Sequence, residues 1–243
     1  MLEGSRVTKY FGGLAAVKNV DFIVKEREIV GLIGPNGAGK TTLFNLISGV
    51  YRPTSGKILF EGRDITKLKP YEICHLGIGR TYQIVKPFLN MTTLENVMVG
   101  VMFGKKKSIS IREARAQALK WLEYVGLEEK KDMLAASLTL ASRKMLEVAR
   151  ALATEPKLIL LDEVVAGLNP AETLRAMDLI RRIRDELGIT VFWVEHVMRA
   201  VMGTAERIIV LHHGEKIAEG TPKEIAADER VIEAYLGEKY LIA

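Results

Sequence analysis

The sequence predicts an α/β fold with a mostly parallel sheet. Helical spacing of apolar residues occurs in TTLFNLISG (41–49) and in PAETLRAMDLIRRIRDELG (170–188), and these segments alternate with apolar segments typical of strands. Several of the strand segments are apolar on both faces, as strands buried in a parallel sheet are. The strand segments are EIVGLI (28–33), GKILFEG (56–62), KLILLDE (157–163), ITVFWVE (189–195) and RIIVLHHGEKIAEG (207–220).

The composition is that of a globular protein without a membrane span. A chain of 243 residues with 48% apolar content can bury one sizeable core, or a core with a smaller satellite lobe. No run of about 18 apolar residues occurs, and the N-terminal MLEGSRVTKYFGG lacks a secretory leader pattern. The single cysteine, Cys74, excludes an intramolecular disulfide and a thiolate metal cage. We therefore expect a cytoplasmic protein.

The net charge of +5 is mild, and basic residues are interspersed with acidic ones except in GKKKS (104–108). A solvated loop is the favoured interpretation of this run. Contact with anionic lipid or nucleic acid is the less favoured alternative.

The segment GPNGAGKTT (34–42) lies between a predicted strand and a predicted helix and matches G-x-x-x-x-G-K-[ST] completely. Its glycines allow backbone N–H groups to surround an anion, and the following helix adds the positive end of its dipole. Lys40 supplies a charge for the terminal phosphates, and the Thr41 hydroxyl can bind Mg²⁺. A chance glycine-rich turn would not explain the order strand, motif, helix. The predicted nucleotide-binding residues are Gly34, Pro35, Asn36, Gly37, Ala38, Gly39, Lys40, Thr41 and Thr42.

Three further segments supply candidate catalytic groups. The strand LILLDE ends in Asp162, a candidate Mg²⁺ ligand, and Glu163, which can orient a water on the γ-phosphate. His196 follows another strand and can donate to the γ-phosphate, although a polar cap is the commoner role for such a histidine. Gln83 can contact Mg²⁺ or the water through its amide, and by itself it would be an ordinary surface glutamine.

The middle of the chain contains almost no strand signal. It does contain a well-marked helix from Ser110 to Val125, which opens with a capping box and carries Ala114, Ala118 and Leu122 on one face. A helical insertion into one α/β domain is the simplest explanation. We therefore expect residues 1–86 and 153–243 to form the core of a single domain, with residues 87–152 as a helical subdomain.

Together, Phe11, GPNGAGKTT, Gln83, LILLDE and His196 resemble the ATP-binding cassette (ABC) ATPases over essentially the whole chain. The resemblance implies a P-loop NTPase fold of the ABC type, with an N-terminal antiparallel β region and a helical subdomain facing a membrane partner. It implies ATP as the nucleotide. It also implies that Phe11 stacks on adenine with Val17 beside it.

The sequence departs from the family in the signature segment, where L-S-G-G-Q is replaced by LTLAS (138–142). Thr139 keeps the hydroxyl that would meet a γ-phosphate in a facing cassette. Leu140 and Ala141 replace the glycines, which is acceptable if both have helical dihedrals, as we expect. Two further departures are Val164, where proline is usual, and Asn169, where aspartate is usual.

The segments MTTLENVMVG (91–100), LLDEVVAGLNPAE (160–172) and EGTPKEIAADERVIEAYLGE (219–238) resemble the ATPase subunits of branched-chain amino acid importers. That resemblance implies a second cassette, identical or paralogous, together with integral-membrane permease subunits and an extracytoplasmic substrate-binding protein. It implies a peripheral position on the cytoplasmic face of the membrane and no nucleic acid partner. The amino acid carried is not determined by this chain.

Other assignments share parts of these patterns. ATPases of urea-type importers and of lipopolysaccharide exporters carry some of the same segments. A non-transport ABC protein acting on DNA or ribosomes usually has two cassettes or a long coiled-coil insertion, and this sequence has neither. A regulatory subunit without turnover is disfavoured by Glu163 and His196, and a phosphate-loop kinase is disfavoured by the segment around His196.

Overall fold

The structure, a computed structural model, describes residues 1–105 and 108–240, with side chains as far as residue 236. Lys106 and Lys107 of the predicted solvated loop lie outside the described residues. Within the described ranges, no helix is long and apolar enough to cross a membrane.

The strands form two sheets. They are β1 (Leu2–Phe11), β2 (Leu14–Val24), β3 (Ile29–Ile33), β4 (Ser55–Phe60), β5 (Arg63–Asp64), β6 (Ile78–Arg80), β7 (Leu158–Asp162), β8 (Thr190–Val194), β9 (Arg207–His212) and β10 (Glu215–Gly220). One sheet has the order β2-β1-β4-β5 and is antiparallel, and the other has the order β10-β9-β3-β8-β7-β6. In the second sheet only β10 pairs antiparallel.

Helices cover both the flanks and the middle of the chain. The α-helices are α1 (Lys40–Ile47), α2 (Pro70–Leu76), α3 (Thr93–Phe103), α4 (Ile111–Tyr124), α5 (Leu140–Leu152), α6 (Pro170–Asp185), α7 (Met198–Thr204), α8 (Pro222–Ala227) and α9 (Glu229–Tyr240). Short 3₁₀ turns lie at Glu128–Lys130 and Ala135–Ser137.

One predicted strand is confirmed and lies in the antiparallel sheet, and another is divided into two strands. The segment 56–62 forms β4, which belongs to the antiparallel sheet, because it pairs with the N-terminal strand β1. The segment 207–220 is divided into β9 and β10 by a turn at His213 and Gly214, whose φ angles are +47° and +81°. Positive φ at both central residues is the geometry of a tight hairpin turn, so the chain reverses where continuous apolar patterning suggested one strand.

The described part of residues 87–152 carries the helices α3, α4 and α5. This described part contains no strand and only an isolated bridge between Thr92 and Leu134. Ser110 caps α4 by accepting from the backbone N–H of Glu113, and the predicted apolar face of α4 is buried. The buried side chains of α3, α4 and α5 belong to the same core cluster as one face of the six-stranded sheet. The division at residues 87 and 152 stays a prediction, because the cluster crosses both boundaries.

The strand β3 lies between two core clusters. Ile29 and Ile33 belong to the cluster that includes the helical segment, whereas Val30 and Leu32 belong to the cluster shared with the antiparallel sheet. Every residue of β3 is buried. This packing fixes the end of β3, from which the glycine-rich loop begins.

Gly31, at the centre of β3, has no room for a side chain. A Cβ at this position would lie 2.6 Å from Cγ1 of Val201 on α7. We expect Gly31→Ala to reduce the free energy of unfolding by about 1–3 kcal/mol, because a packed β-branched neighbour must shift. Denaturant unfolding measures this loss. Gly13→Ala is the matched control, since a Cβ there meets nothing within 4 Å; an equal loss in both variants would contradict the packing argument.

Candidate functional site

The glycine-rich loop at residues 34–39, called the phosphate loop below, joins β3 to α1. Gly39 caps α1 with φ of +102°, and a Cβ there would lie 2.3 Å from the carbonyl oxygen of Ala16. Gly34 has φ of +150°, and a Cβ there would lie 2.1 Å from the carbonyl oxygen of Leu211. Glycine is therefore required where the loop packs against the backbone of β2 and β9.

The Lys40 side chain is folded into the phosphate loop. It is buried, and its Nζ donates to the carbonyl oxygens of Gly34 at 2.6 Å and Pro35 at 2.8 Å. A full positive charge thus lies beside the N-terminus of α1, where the helix dipole is also positive. The loop and the helix end together form a concentrated positive field.

A cavity of about 330 Å³ opens beside the phosphate loop. Residues 36–42 line it, together with Gln83 and Glu163, and the opposite wall is formed by residues 14–16 and His213. The structure therefore brings most of the predicted nucleotide-binding residues and two of the predicted catalytic residues to one place. A neighbouring cavity of about 320 Å³ contains Gly34 and Pro35, and His196 lies there with the same glutamine and glutamate.

The three predicted catalytic side chains meet around one carboxylate. Gln83 Nε2 donates to Glu163 Oε2 at 3.0 Å, and His196 Nδ1 lies 3.5 Å from Glu163 Oε1. The Glu163 side chain is largely buried, with 15% exposed, whereas half of the His196 side chain is exposed. Segments far apart in sequence thus converge on Glu163, beside the phosphate loop.

Asp162, the last residue of β7, is buried and pairs with Arg80, whose Nη2 lies 3.3 Å from Asp162 Oδ2. Its backbone N–H donates to Thr81 Oγ1. Burial raises the pKa of Asp162, and the Arg80 charge acts in the opposite direction. Asp162 Oδ1 is buried without a hydrogen-bond partner, so this oxygen could accept a further ligand.

The three predicted metal ligands line a common cavity. Thr41, Gln83 and Asp162 border a cavity of about 880 Å³ that extends from the phosphate loop toward α2 and α5. In the described part of the chain, no group of three or more His, Cys, Asp or Glu side chains is placed to hold a metal ion. A metal here would therefore be held by one carboxylate, a hydroxyl and an amide, with phosphate or water completing the coordination.

Thr139 lies apart from the phosphate loop. It caps α5, accepting from the Ser142 backbone N–H at 3.3 Å, and it lines a separate cavity of about 920 Å³. Leu140 and Ala141 lie inside α5 and have no positive φ, so the missing glycines carry no backbone cost. Asn169 caps α6, accepting from the backbone N–H of Glu172 at 2.9 Å.

The predicted adenine contacts are only partly accessible. Phe11 is 43% exposed and packs edge-on against Tyr51, with ring centroids 5.2 Å apart. Val17 is fully buried in the core, so its side chain does not reach the surface beside Phe11. The prediction for Val17 is corrected on this ground: its position on β2 faces the core, and Leu14 lines the cavity instead.

Comparison with known proteins agrees with this geometry. The family model described as ABC transporter matches residues 17–166. The chain belongs to the ABC transporter family. A second model, described as branched-chain amino acid ATP-binding cassette transporter, matches residues 215–240. These matches confirm the predicted family and its ATPase class, and they make this chain a nucleotide-binding cassette.

The cassette is similar to curated proteins along nearly its full length. The high-affinity branched-chain amino acid transport ATP-binding protein LivG of Salmonella typhimurium is 43% identical over 94% of each chain. BraF of Pseudomonas aeruginosa, with the same description, is 40% identical over 98% of each chain. A crystal structure of the ADP conformation of an ABC transporter's ATP-binding cassette is 34% identical, with a TM-score of 0.88 over 98% of each chain. The predicted fold is confirmed.

Buried charged residues near the site were missed by the sequence analysis, among them Arg80, Lys144 and Glu195. Each carried a weak signal. Arg80 lies three residues before Gln83, Glu195 ends an apolar strand, and Lys144 lies on the apolar face of α5. Local patterns do not reveal their partners.

We expect Arg80→Met to lose about 3–5 kcal/mol of unfolding free energy near neutral pH, because it leaves the buried Asp162 carboxylate without a charged partner. The pKa of Asp162 is already raised by burial and would rise further. The folded state would then bind a proton more tightly than the unfolded state, so the loss should shrink as the pH falls toward about 5. Denaturant unfolding at both pH values measures this.

The control is Arg80→Met combined with Asp162→Asn, which has no carboxylate at this position. Its own free energy of unfolding should not vary with pH through this site, whereas that of Arg80→Met should. A loss in Arg80→Met that is the same at neutral and acidic pH would contradict the assignment of the pH dependence to Asp162.

Proposed function

We propose that this cassette is the ATP-hydrolysing subunit of an importer for branched-chain amino acids. The observation that carries the proposal is the placement of Glu163, held between Gln83 and His196 at the edge of the phosphate-loop cavity. A carboxylate in that position can accept a proton from a water directed at the terminal phosphate of ATP.

The nucleotide's phosphates would occupy the cavity beside residues 36–42. Backbone N–H groups of the phosphate loop and the start of α1 would donate to the β- and γ-phosphates, and Lys40 would turn from the loop's carbonyls toward them. Phe11 would contact the adenine from the edge of this cavity. Most of these contacts are made in both the ground state and the transition state, so they contribute to the affinity for the nucleotide.

The residues around Asp162 fit Mg²⁺. The partnerless buried Oδ1 of Asp162 is a suitable acceptor site for a cation's water, and the Thr41 hydroxyl and Gln83 amide line the same cavity. When bound, Mg²⁺ would neutralise negative charge that develops on the phosphates during hydrolysis.

For hydrolysis, Glu163 would orient the attacking water and take its proton. His196, which is half exposed beside the loop, would donate a hydrogen bond to the γ-phosphate as negative charge develops there. Gln83 would hold the Glu163 carboxylate through the 3.0 Å hydrogen bond, or release it to contact the water.

A second cassette, identical or paralogous, would complete the site. Thr139 and the N-terminus of α5 would face the γ-phosphate bound to the partner, because they lie apart from the cassette's own phosphate loop. The free energy of binding ATP between the two cassettes would favour closure of the dimer. Hydrolysis would remove that contribution and release the closed dimer.

The membrane subunits would dock beside Gln83, where the 880 Å³ cavity is bordered by exposed apolar side chains. Tyr71, Tyr82 and Ile84 are 47–69% exposed and line this cavity. Exposed apolar groups around a groove are typical of protein contacts. This arrangement would place the cassette peripherally, on the cytoplasmic face of the membrane, and couple the site to transport through Gln83.

Branched-chain amino acids are the proposed cargo because the similar proteins LivG and BraF are described as transporting them and because the model for that group matches residues 215–240. An extracytoplasmic binding protein would select the cargo. These similarities do not favour urea-type import, lipopolysaccharide export or a role on nucleic acid.

We expect Glu163→Gln to reduce ATP hydrolysis by about 10²–10⁴-fold, because the amide fits the same space but cannot take a proton. ATP-dependent pairing of cassettes should persist, as measured by size-exclusion chromatography with ATP. Lys40→Ala is the contrasting variant and should weaken nucleotide binding roughly 10- to 100-fold. Full turnover in Glu163→Gln would refute the assigned role of Glu163.

The cargo is tested with the complete transporter, assembled from two cassettes, the permease subunits and the substrate-binding protein. We expect ATP hydrolysis in proteoliposomes to rise when the binding protein is loaded with leucine, isoleucine or valine. The same binding protein exposed to urea is the control. Stimulation by urea alone would refute the proposed cargo while leaving the ATPase assignment intact.

A further inference from the structure

One buried carboxylate joins two catalytic loops. Glu195 follows the last residue of β8 and is fully buried. Its Oε1 accepts from the backbone N–H of Val165 at 2.9 Å, and its Oε2 accepts from those of His196 at 3.0 Å and Val197 at 3.4 Å. A single side chain therefore connects the segment after Glu163 to the segment that carries His196.

A buried lysine is hydrogen-bonded to the backbone of Glu163 itself. Lys144, on α5, is 6% exposed, and its Nζ donates to the backbone carbonyl oxygen of Glu163 at 2.5 Å. Burial lowers the pKa of Lys144, while attraction to Glu195 and Glu163 opposes this effect. Burial also raises the pKa of Glu195, which its backbone donors counteract. Burial thus disfavours the charged form of both side chains, and specific partners stabilise that form.

The backbone immediately before these two contacts is strained. Glu163 has φ of +53°, in the left-handed region that a non-glycine residue adopts at a cost of order 1–3 kcal/mol. Its own N–H donates to the carbonyl oxygen of Val194 at 2.9 Å. The conformation persists because surrounding groups determine it: the Val194 carbonyl accepts from the N–H of Glu163, and the contacts of Lys144 and Glu195 lie just after it, at the Glu163 carbonyl and the Val165 N–H.

We propose that Lys144 and Glu195 are positioning residues that hold the Glu163 backbone in its strained conformation, and that Glu195 fixes Glu163 and His196 relative to each other. The inference rests on the proposed function, which assigns the chemistry to those two residues. Lys144 lies on the helix that begins at Thr139, so the helix offered to the partner's nucleotide is also bonded to the cassette's own catalytic glutamate.

A purely stabilising role makes a different prediction. Replacing both members of a buried ion pair by apolar groups is often neutral or favourable for stability, whereas removing one partner is strongly destabilising. If the two residues only stabilise the fold, their replacement changes the unfolding free energy and leaves turnover per folded molecule unchanged. If they position Glu163, turnover falls while nucleotide affinity is retained.

The test uses the full-length cassette in its transporter complex, with the variants Glu195→Gln and Lys144→Met. We expect kcat for ATP hydrolysis to fall about 10- to 100-fold in each, because small displacements of a catalytic group cost this much. The Kd for Mg·ATP, measured by equilibrium binding to the full-length cassette, should change less than about threefold. The double variant should lose less than the product of the two single effects, because both act through one backbone segment.

Two further variants separate positioning from stability. Lys144→Arg keeps a donor for the Glu163 carbonyl and should recover most of the lost turnover. Glu28→Gln is the matched control: it removes a partly buried carboxylate, paired with Arg207, at the opposite end of the sheet, and should leave kcat unchanged. If Glu195→Gln does not fold, the two Lys144 variants decide the question.

Equal kcat values for Glu195→Gln, Lys144→Met and Glu28→Gln would overturn the inference while leaving the proposed function in place. A weakened Kd with unchanged kcat would overturn it as well. Absence of ATP hydrolysis by the wild-type complex would instead overturn the proposed function, and the inference would fall with it.

Discussion

Parallel pairing of β3, β8 and β7 brings three chain segments to one edge of the sheet, and the geometry of the site depends on this alignment. Val194 on β8 is in register with Leu32 on β3 and with Asp162 on β7. The phosphate loop, Glu163 and His196 all begin within two residues of that row. Because all three strands are buried on both faces, a slip in register would expose apolar side chains and is disfavoured.

Buried charges are concentrated at this same edge. Asp162 pairs there with Arg80, and Glu195 and Lys144 contact backbone groups of the segments that follow β7 and β8. Compared with apolar packing, a buried ion pair adds little net stability, since desolvation offsets much of its attraction, although removing one partner is costly. These charged groups instead orient other groups, because each one anchors a backbone segment or a carboxylate whose position apolar packing leaves undetermined.

The altered signature segment retains the helical geometry that the family pattern implies. Thr139 caps α5, and the two residues that replace glycine continue the helix without positive φ. Asn169 caps α6 with its side-chain oxygen, so loss of a negative charge there does not remove the cap. Local backbone geometry at both helix starts is therefore preserved with different side chains.

Features that depend on neighbours along the chain were predictable from the sequence. The phosphate loop between β3 and α1 and the capped helix α4 were predicted because their signals lie within one segment. The assignment of residues 56–62 to the antiparallel sheet, the burial of Val17 and the contacts of Glu195 were decided only by the tertiary structure. The physical reason is that strand pairing and ion pairing join residues far apart in sequence, so no local pattern specifies which segments meet.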